Sequence, residues 1–266
     1  MNALGDAAVR VLLTADPAGK AAQSIIAATE WRDGALTHAC TAAVPKRPAR
    51  PAEPQLLAPK DMPKRRKAGS KQNRIALLHA IAHIEFNAID LAWDIIARFG
   101  DGMPKEFLDD WVGVGADEAR HFTLLQARLK DLGATYGDLP AHDGLWQAAE
   151  KTAHDILDRL AIIPLVLEAR GLDVTPNMIT QLKKAGDEKS ATILQTIYDE
   201  EIAHVKAGAK WFEHVCKQRK LDPQTTWQKL VSKHFKGALK PPFNDNARAR
   251  AGLPKSFYYP LAEKKR

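Results

Sequence analysis

A chain of 266 residues, 45% of them apolar, is long enough for one large soluble domain or two small ones, and its formal charge of +7 makes it basic. Its two cysteines, Cys40 and Cys216, lie in different regions without metal-ligand spacing, which argues against a disulfide framework or a zinc site and fits a reducing cytoplasm. The longest apolar run, Leu160 to Leu167, is far short of a membrane span, and the N-terminus lacks a basic region followed by a continuous apolar one, so no membrane is expected as a partner.

In chain order, residues 1–72 read as an arm. Val9, Leu12 and Leu13 precede Asp16-Pro17, and Ala21 to Trp31 follows, which predicts one or two short helices. From Val44 to Lys67 six prolines (Pro45, Pro48, Pro51, Pro54, Pro59 and Pro63) stand among basic residues. The first four are three apart, which favours extended backbone over helix, with Leu56 and Leu57 as surface anchors.

Residues 73–220 carry helical periodicity. Ile75, Leu78, Ala82, Glu85, Ile89, Ala92 and Ile96 form one stripe; Phe107, Trp111, Val114, Glu118, His121 and Leu125 form a second. Leu157, Ala161, Pro164 and Glu168 lie on a third and less regular line, and Leu194, Ile197, Glu201, His204, Gly208, Trp211 and Val215 on a fourth. Asp101-Gly102-Met103-Pro104 closes the first hairpin, and Gly133 to Asp143 connects to the second half. Pro164 should bend the third helix and Gly171 should end it, with a short helix starting at Asp173 or Thr175 before Asp187 opens the last. Residues 221–266 are a basic tail with one expected helix, Thr225 to Phe235, and an irregular aromatic end including Phe257, Tyr258 and Tyr259.

The polar interruptions of these stripes follow a rule. Glu85 and Glu118 are 33 positions apart, as are Glu168 and Glu201, and His121 and His204 each follow a glutamate by three. Each half therefore supplies a lone Glu and a Glu-x-x-His, and the halves are offset by 83 positions. Such a repeat predicts four long helices in two hairpins, with six inward ligands. Residues three apart share a helix face, so one Glu and one His can bind the same metal while the carboxylate reaches a second. Four carboxylates on apolar faces are balanced by two divalent cations, which removes most of the penalty of burying them.

Charge is unevenly distributed. Residues 1–73 carry 12 Lys/Arg against 6 Asp/Glu, residues 74–221 carry 17 against 23, and residues 222–266 carry 10 against 3. Two accounts are open. The arms wrap the acidic helices, or Lys64-Arg65-Arg66-Lys67 and Lys264-Lys265-Arg266 meet nucleic-acid phosphates.

The set Glu85, Glu118-x-x-His121, Glu168 and Glu201-x-x-His204 resembles the ligands of the ferritin-like di-iron carboxylate superfamily. The Pro-rich segment before the helices, together with Pro241-Pro242-Phe243-Asn244, Ala247-Arg248 and Ala251-Gly252, is similar to an uncharacterised bacterial family within it, domain of unknown function 455. The resemblance implies an all-α, ferritin-like four-helix bundle with N- and C-terminal arms. It implies that Glu118 and Glu201 bridge two iron ions, with Glu85, His121, Glu168 and His204 as terminal ligands; an iron/manganese or di-manganese pair suits the same donors. It further implies an oxidoreductase that activates dioxygen to oxidise or hydroxylate an organic substrate, served by an electron donor and acting as a monomer or small homo-oligomer.

A narrower version acts on a modified tRNA base, for which the basic arms would supply phosphate contacts. The reading from a different class is a non-enzymatic protein that stores or sequesters iron; a scaffold that kept ligands but lost turnover is a third. Tyr198, one turn from Glu201, is a candidate redox or hydrogen-bonding neighbour, with a plain core tyrosine as the alternative. His79, His83, Asn87, Asp117 and Glu200 are candidates for orienting the ligands.

Overall fold

In a computed structural model, which describes residues 2–63, 69–235 and 238–262, the protein is all-α but for a short parallel pairing of β1 (Asn2–Ala3) with β2 (Leu36–Thr37) and isolated bridges. The basic runs Lys64-Arg65-Arg66-Lys67 and Lys264-Lys265-Arg266 lie outside the described residues. The helices are α1 (Leu4–Leu13), α2 (Pro17–Arg32), α3 (Lys71–Phe99), α4 (Lys105–Asp131), α5 (Gly144–Lys151), α6 (Ile156–Ile162), α7 (Ala169–Lys184), α8 (Glu188–Gln218), α9 (Pro223–His234), α10 (Asp245–Arg250) and α11 (Lys255–Tyr258). Two compact units divide them: Met1–Glu150 with Gln181–Ile193, and Lys151–Thr180 with Leu194–Arg266.

In the first unit α3 packs on α4 and on α1, and α2 packs on α4. Ser70 starts α3 by accepting from Asn73 N (3.2 Å), and the chain leaves it where Gly100 N donates to Ile96 O (2.9 Å). Helix α3 is long and apolar enough to cross a membrane, but most of its apolar length is already buried inside the protein. Helix α2 is locked on by buried Ser24, whose hydroxyl donates to Gly115 O (2.6 Å) and accepts from Trp93 Nε1 (2.7 Å). A methyl on Gly115 would sit 2.7 Å from Trp93 Nε1, so α3 and α4 approach here only because residue 115 has no side chain.

The Pro-rich segment is extended, as its composition predicts, apart from a 3-10 turn at Pro59–Asp61. Its anchors differ from those expected. Leu56 is exposed, and the segment is held through backbone: Ala49 N donates to Leu12 O (2.8 Å), Leu57 N to Ala141 O (2.8 Å), and Ala141 N returns to Gln55 O (3.0 Å). Charge does the rest. Fully buried Lys20 pairs with Asp90 of α3, which also takes Arg50 (2.8 Å), while Arg47 pairs with Asp143 and with Glu150 (2.9 Å). These three cations of the N-terminal arm pair with acids within their own unit.

The second unit holds the third predicted helix, which is interrupted. Pro164 has no N–H to give, and residues Ile163–Glu168 form a wider π turn between α6 and α7. Gly208 of α8 makes room for it, since a methyl at that position would overlap the Pro164 ring. The expected helix end at Gly171 does not occur: α7 runs unbroken through Gly171 and Pro176. Proline at 176 cannot donate to the carbonyl four residues earlier, Leu172 O, and Asn244 Nδ2 donates to it instead (3.2 Å).

The same Asn244 caps α10 through Ala247 N (3.2 Å). Arg248 of α10 grips Asp173 of α7 through Nε (2.8 Å) and Nη2 (2.7 Å). Phe257 and Tyr258, expected in an irregular end, are buried in α11, which packs on α9. Helix α9 begins and ends one or two residues earlier than its predicted span, and its Trp227 Nε1 donates to Ala161 O in α6 (3.2 Å).

Candidate metal centre

In the first unit the stripes of α3 and α4 bring three of the six predicted ligands together. Glu85, Glu118 and His121 are buried, and each offers a ligand atom within 4.8 Å of the others. His121 Nδ1 lies 3.2 Å from Glu85 Oε2 and 3.4 Å from Glu118 Oε2. The helical offset of three places Glu118 and His121 on one face of α4, and the stripe of α3 carries Glu85 to it.

The electrostatics follow from crowding. Burial and the neighbouring Glu118 push the Glu85 carboxyl well above the usual carboxylate range. Burial alone would lower the His121 imidazole, but its hydrogen bonds to Glu118 and Glu85 carry it up to about 11. The proton held among these groups occupies a place that a divalent cation could take, releasing the proton as it binds.

In the second unit Glu201 and His204 share a face of α8, with His204 Nδ1 3.6 Å from Glu201 Oε1, too far for a hydrogen bond. Glu201 Oε2 is buried and has no hydrogen-bond partner among the described residues. An acceptor left in that state calls for a cation or a proton. Glu168 is the last residue of the π turn, a distortion that recurs at functional sites because it re-aims the side chains after it. Donors of the kind present, carboxylate and imidazole, fit iron or manganese.

The candidate orienting residues are mostly engaged elsewhere. His83 Nδ1 meets the Tyr136 hydroxyl (2.9 Å) and its Nε2 meets His142 O (3.2 Å) and Asn87 Nδ2 (3.1 Å). Burial, and then the nearby Arg50, bring the His83 imidazole down to about 4. His79 Nε2 accepts from Gly137 N (2.9 Å), so both histidines fasten the connection after α4 to α3. Asn87 Oδ1 takes Arg50 Nη2 (2.6 Å), and Asp117 pairs with Arg120 at the surface (2.7 Å). The Tyr198 hydroxyl accepts from Asn244 Nδ2 (2.9 Å), which ties it to the C-terminal segment.

One further cluster is not announced by any sequence stripe. His154, Asp158 and His234 of the second unit gather three metal-capable atoms within 4.8 Å. Only the His154/Asp158 spacing of four offered a signal, because His234 is 76 residues beyond Asp158.

Residues 13–259 match the family described as "Protein of unknown function (DUF455)". An uncharacterized protein of Haemophilus influenzae is 44% identical over 213 residues, covering 76% of this chain and 72% of that protein. No solved structure matches.

Proposed function

The chain belongs to the DUF455 family, whose description assigns no reaction, and from its side chains we propose a ferritin-like di-metal carboxylate oxidoreductase. It uses dioxygen to oxidise or hydroxylate an organic substrate in the cytoplasm. The observation that carries this reading is the buried Glu85, Glu118 and His121 cluster, whose spacing in sequence is repeated by Glu168, Glu201 and His204. In this reading α3, α4, the bent α6–α7 segment and α8 are the four bundle helices. Glu118 and Glu201 would be the ligands common to two metal ions, and Glu85, His121, Glu168 and His204 would each serve one of them.

When bound, a reduced di-iron, iron/manganese or di-manganese pair supplies the electrons that dioxygen requires. The chain's own residues do the remainder. Glu85 and Glu118 set the charge of the site, and His121 holds a proton that leaves on loading. The apolar stripes exclude water from the ligands. An electron donor is required from outside. The substrate is a small molecule or a base within tRNA.

Metal analysis of protein purified without added metal, with Glu118→Ala and Glu201→Ala beside it, tests the proposal. Near two iron or manganese ions per chain, lost in both variants, together with oxygen uptake by the reduced protein, is the expected result. Metal unaffected by either substitution would overturn the site. A large closed shell on size exclusion would favour iron storage over catalysis, and loaded metal with no oxygen uptake would favour a scaffold.

A further inference from the structure

We propose that His154, Asp158 and His234 form a second metal site, mononuclear and selective for a divalent cation of the zinc class. It is independent of the carboxylate centre and uses none of its residues.

The frame is built from several fixed points. Asp155 caps α6 by accepting from Leu157 N (2.7 Å), and Arg219 Nη1 holds its other oxygen (2.7 Å). Asp158 follows in the first turn of α6, one turn after His154. Helix α9 lies against α6, where buried Trp227 Nε1 donates to Ala161 O (3.2 Å), and its last residue is His234. Two imidazoles thus come to one carboxylate oxygen: His154 Nε2 is 2.7 Å and His234 Nε2 2.8 Å from Asp158 Oδ2.

Two neutral imidazoles and one carboxylate are a donor set that zinc takes readily, with water completing the shell. Around a tetrahedral ion with bonds of about 2.0–2.2 Å, adjacent ligand atoms are roughly 3.3 Å apart. The present spacing is shorter by about half an ångström, the length of direct hydrogen bonds. His154 supplies the necessary movement, because it stands in a turn with 57% of its side chain exposed, while Asp158 and His234 are largely covered. The exposed side is also the route for the ion and its water.

Asp158 has a third cationic neighbour. Lys233 Nζ lies 2.9 Å from the same Asp158 oxygen. Burial opposes ionisation of Asp158, yet the hydrogen bonds from Lys233 and His234 keep its carboxyl below the usual range. An ion entering the site displaces the ammonium and takes both imidazoles in their neutral form.

Zinc titration of the full chain, followed by equilibrium dialysis, provides the test. His154→Gln, at an exposed position that does not endanger folding, should lose one zinc equivalent or bind it weaker by more than the roughly 10–100-fold cost of disturbing an outer partner. Lys233→Met should bind zinc tighter than the wild type, and Glu118→Ala should retain this equivalent. Equal zinc stoichiometry and affinity in the wild type and His154→Gln would overturn the proposal, as would weaker binding in Lys233→Met.

Discussion

Asn244 Nδ2 donates to Leu172 O, the carbonyl that Pro176 cannot serve, and so a side chain 68 residues downstream repairs the hydrogen-bond ladder of α7. Asn244→Ala leaves that acceptor alone and also uncaps α10, which should cost about 2 kcal/mol. Pro176→Ala restores an N–H at the same point. The double variant should therefore lose less than the sum of the two single changes, measured as denaturant midpoints in a double-mutant cycle. Strict additivity would show that Asn244 acts through its cap alone.

Gly115 faces the Trp93 indole, with 2.7 Å available to a methyl group. Gly115→Ala must push the indole off the Ser24 hydroxyl or part α3 from α4. A loss of about 1–3 kcal/mol is expected in thermal or urea unfolding. Gly113, two residues earlier and with open space where a methyl would sit, serves as the control and should tolerate alanine.

Lys20 and Asp90 are both fully buried, and burial lowers the lysine and raises the aspartate toward their neutral forms. Lys20→Met leaves Asp90 with Arg50 alone in an apolar surround. The expected cost is about 3 kcal/mol. Limited proteolysis should then cut near the start of α2 sooner than in the wild type, because the bond from Lys20 to Asp90 of α3 is gone.

Asp187 caps α8 through Ser190 N (3.1 Å) and receives Arg128 Nη2 (2.9 Å), with Arg74 Nε 3.2 Å from its other oxygen. Burial works against its charge, but these bonds win and hold the carboxyl below its usual range. The unfolded chain then binds the proton more readily than the folded one. The stabilisation is complete above a pH of about 4 and is lost as pH falls through the folded value. Asp187→Asn should lower the unfolding midpoint at pH 7, and the gap to wild type should close in acid; a gap constant with pH would contradict the assignment.

The long helices were legible because stripes such as Ile75 to Ile96 repeat often enough to fix both existence and inward face. Glu85, Glu118 and His121 were legible for the same reason, as charges on faces that otherwise bury apolar groups. Gly171 and Pro176 misled because their local meaning is a helix end, and the compensation comes from Asn244, which no local window contains. Helices α10 and α11 are too short for periodicity to register. Their positions depend on Asn244, on Arg248 with Asp173, and on the Tyr258 hydroxyl, which donates to Asp245 Oδ1 (2.8 Å). His234 is likewise joined to Asp158 by tertiary packing alone.

The π turn at Ile163–Glu168 gives this helix a tolerance of chain length that ordinary helices lack. It holds one residue more than α geometry would, so deleting one residue between Ile163 and Leu167 would let the turn relax to α. Residues at about 100° each would then sweep nearly the same angle as the wider turn with its extra residue, and α6 would keep its phase against α7. Ala161 O would stay within reach of Trp227, and Asp158 of His234. The same deletion inside α7 would instead turn everything on one side of it by about 100°.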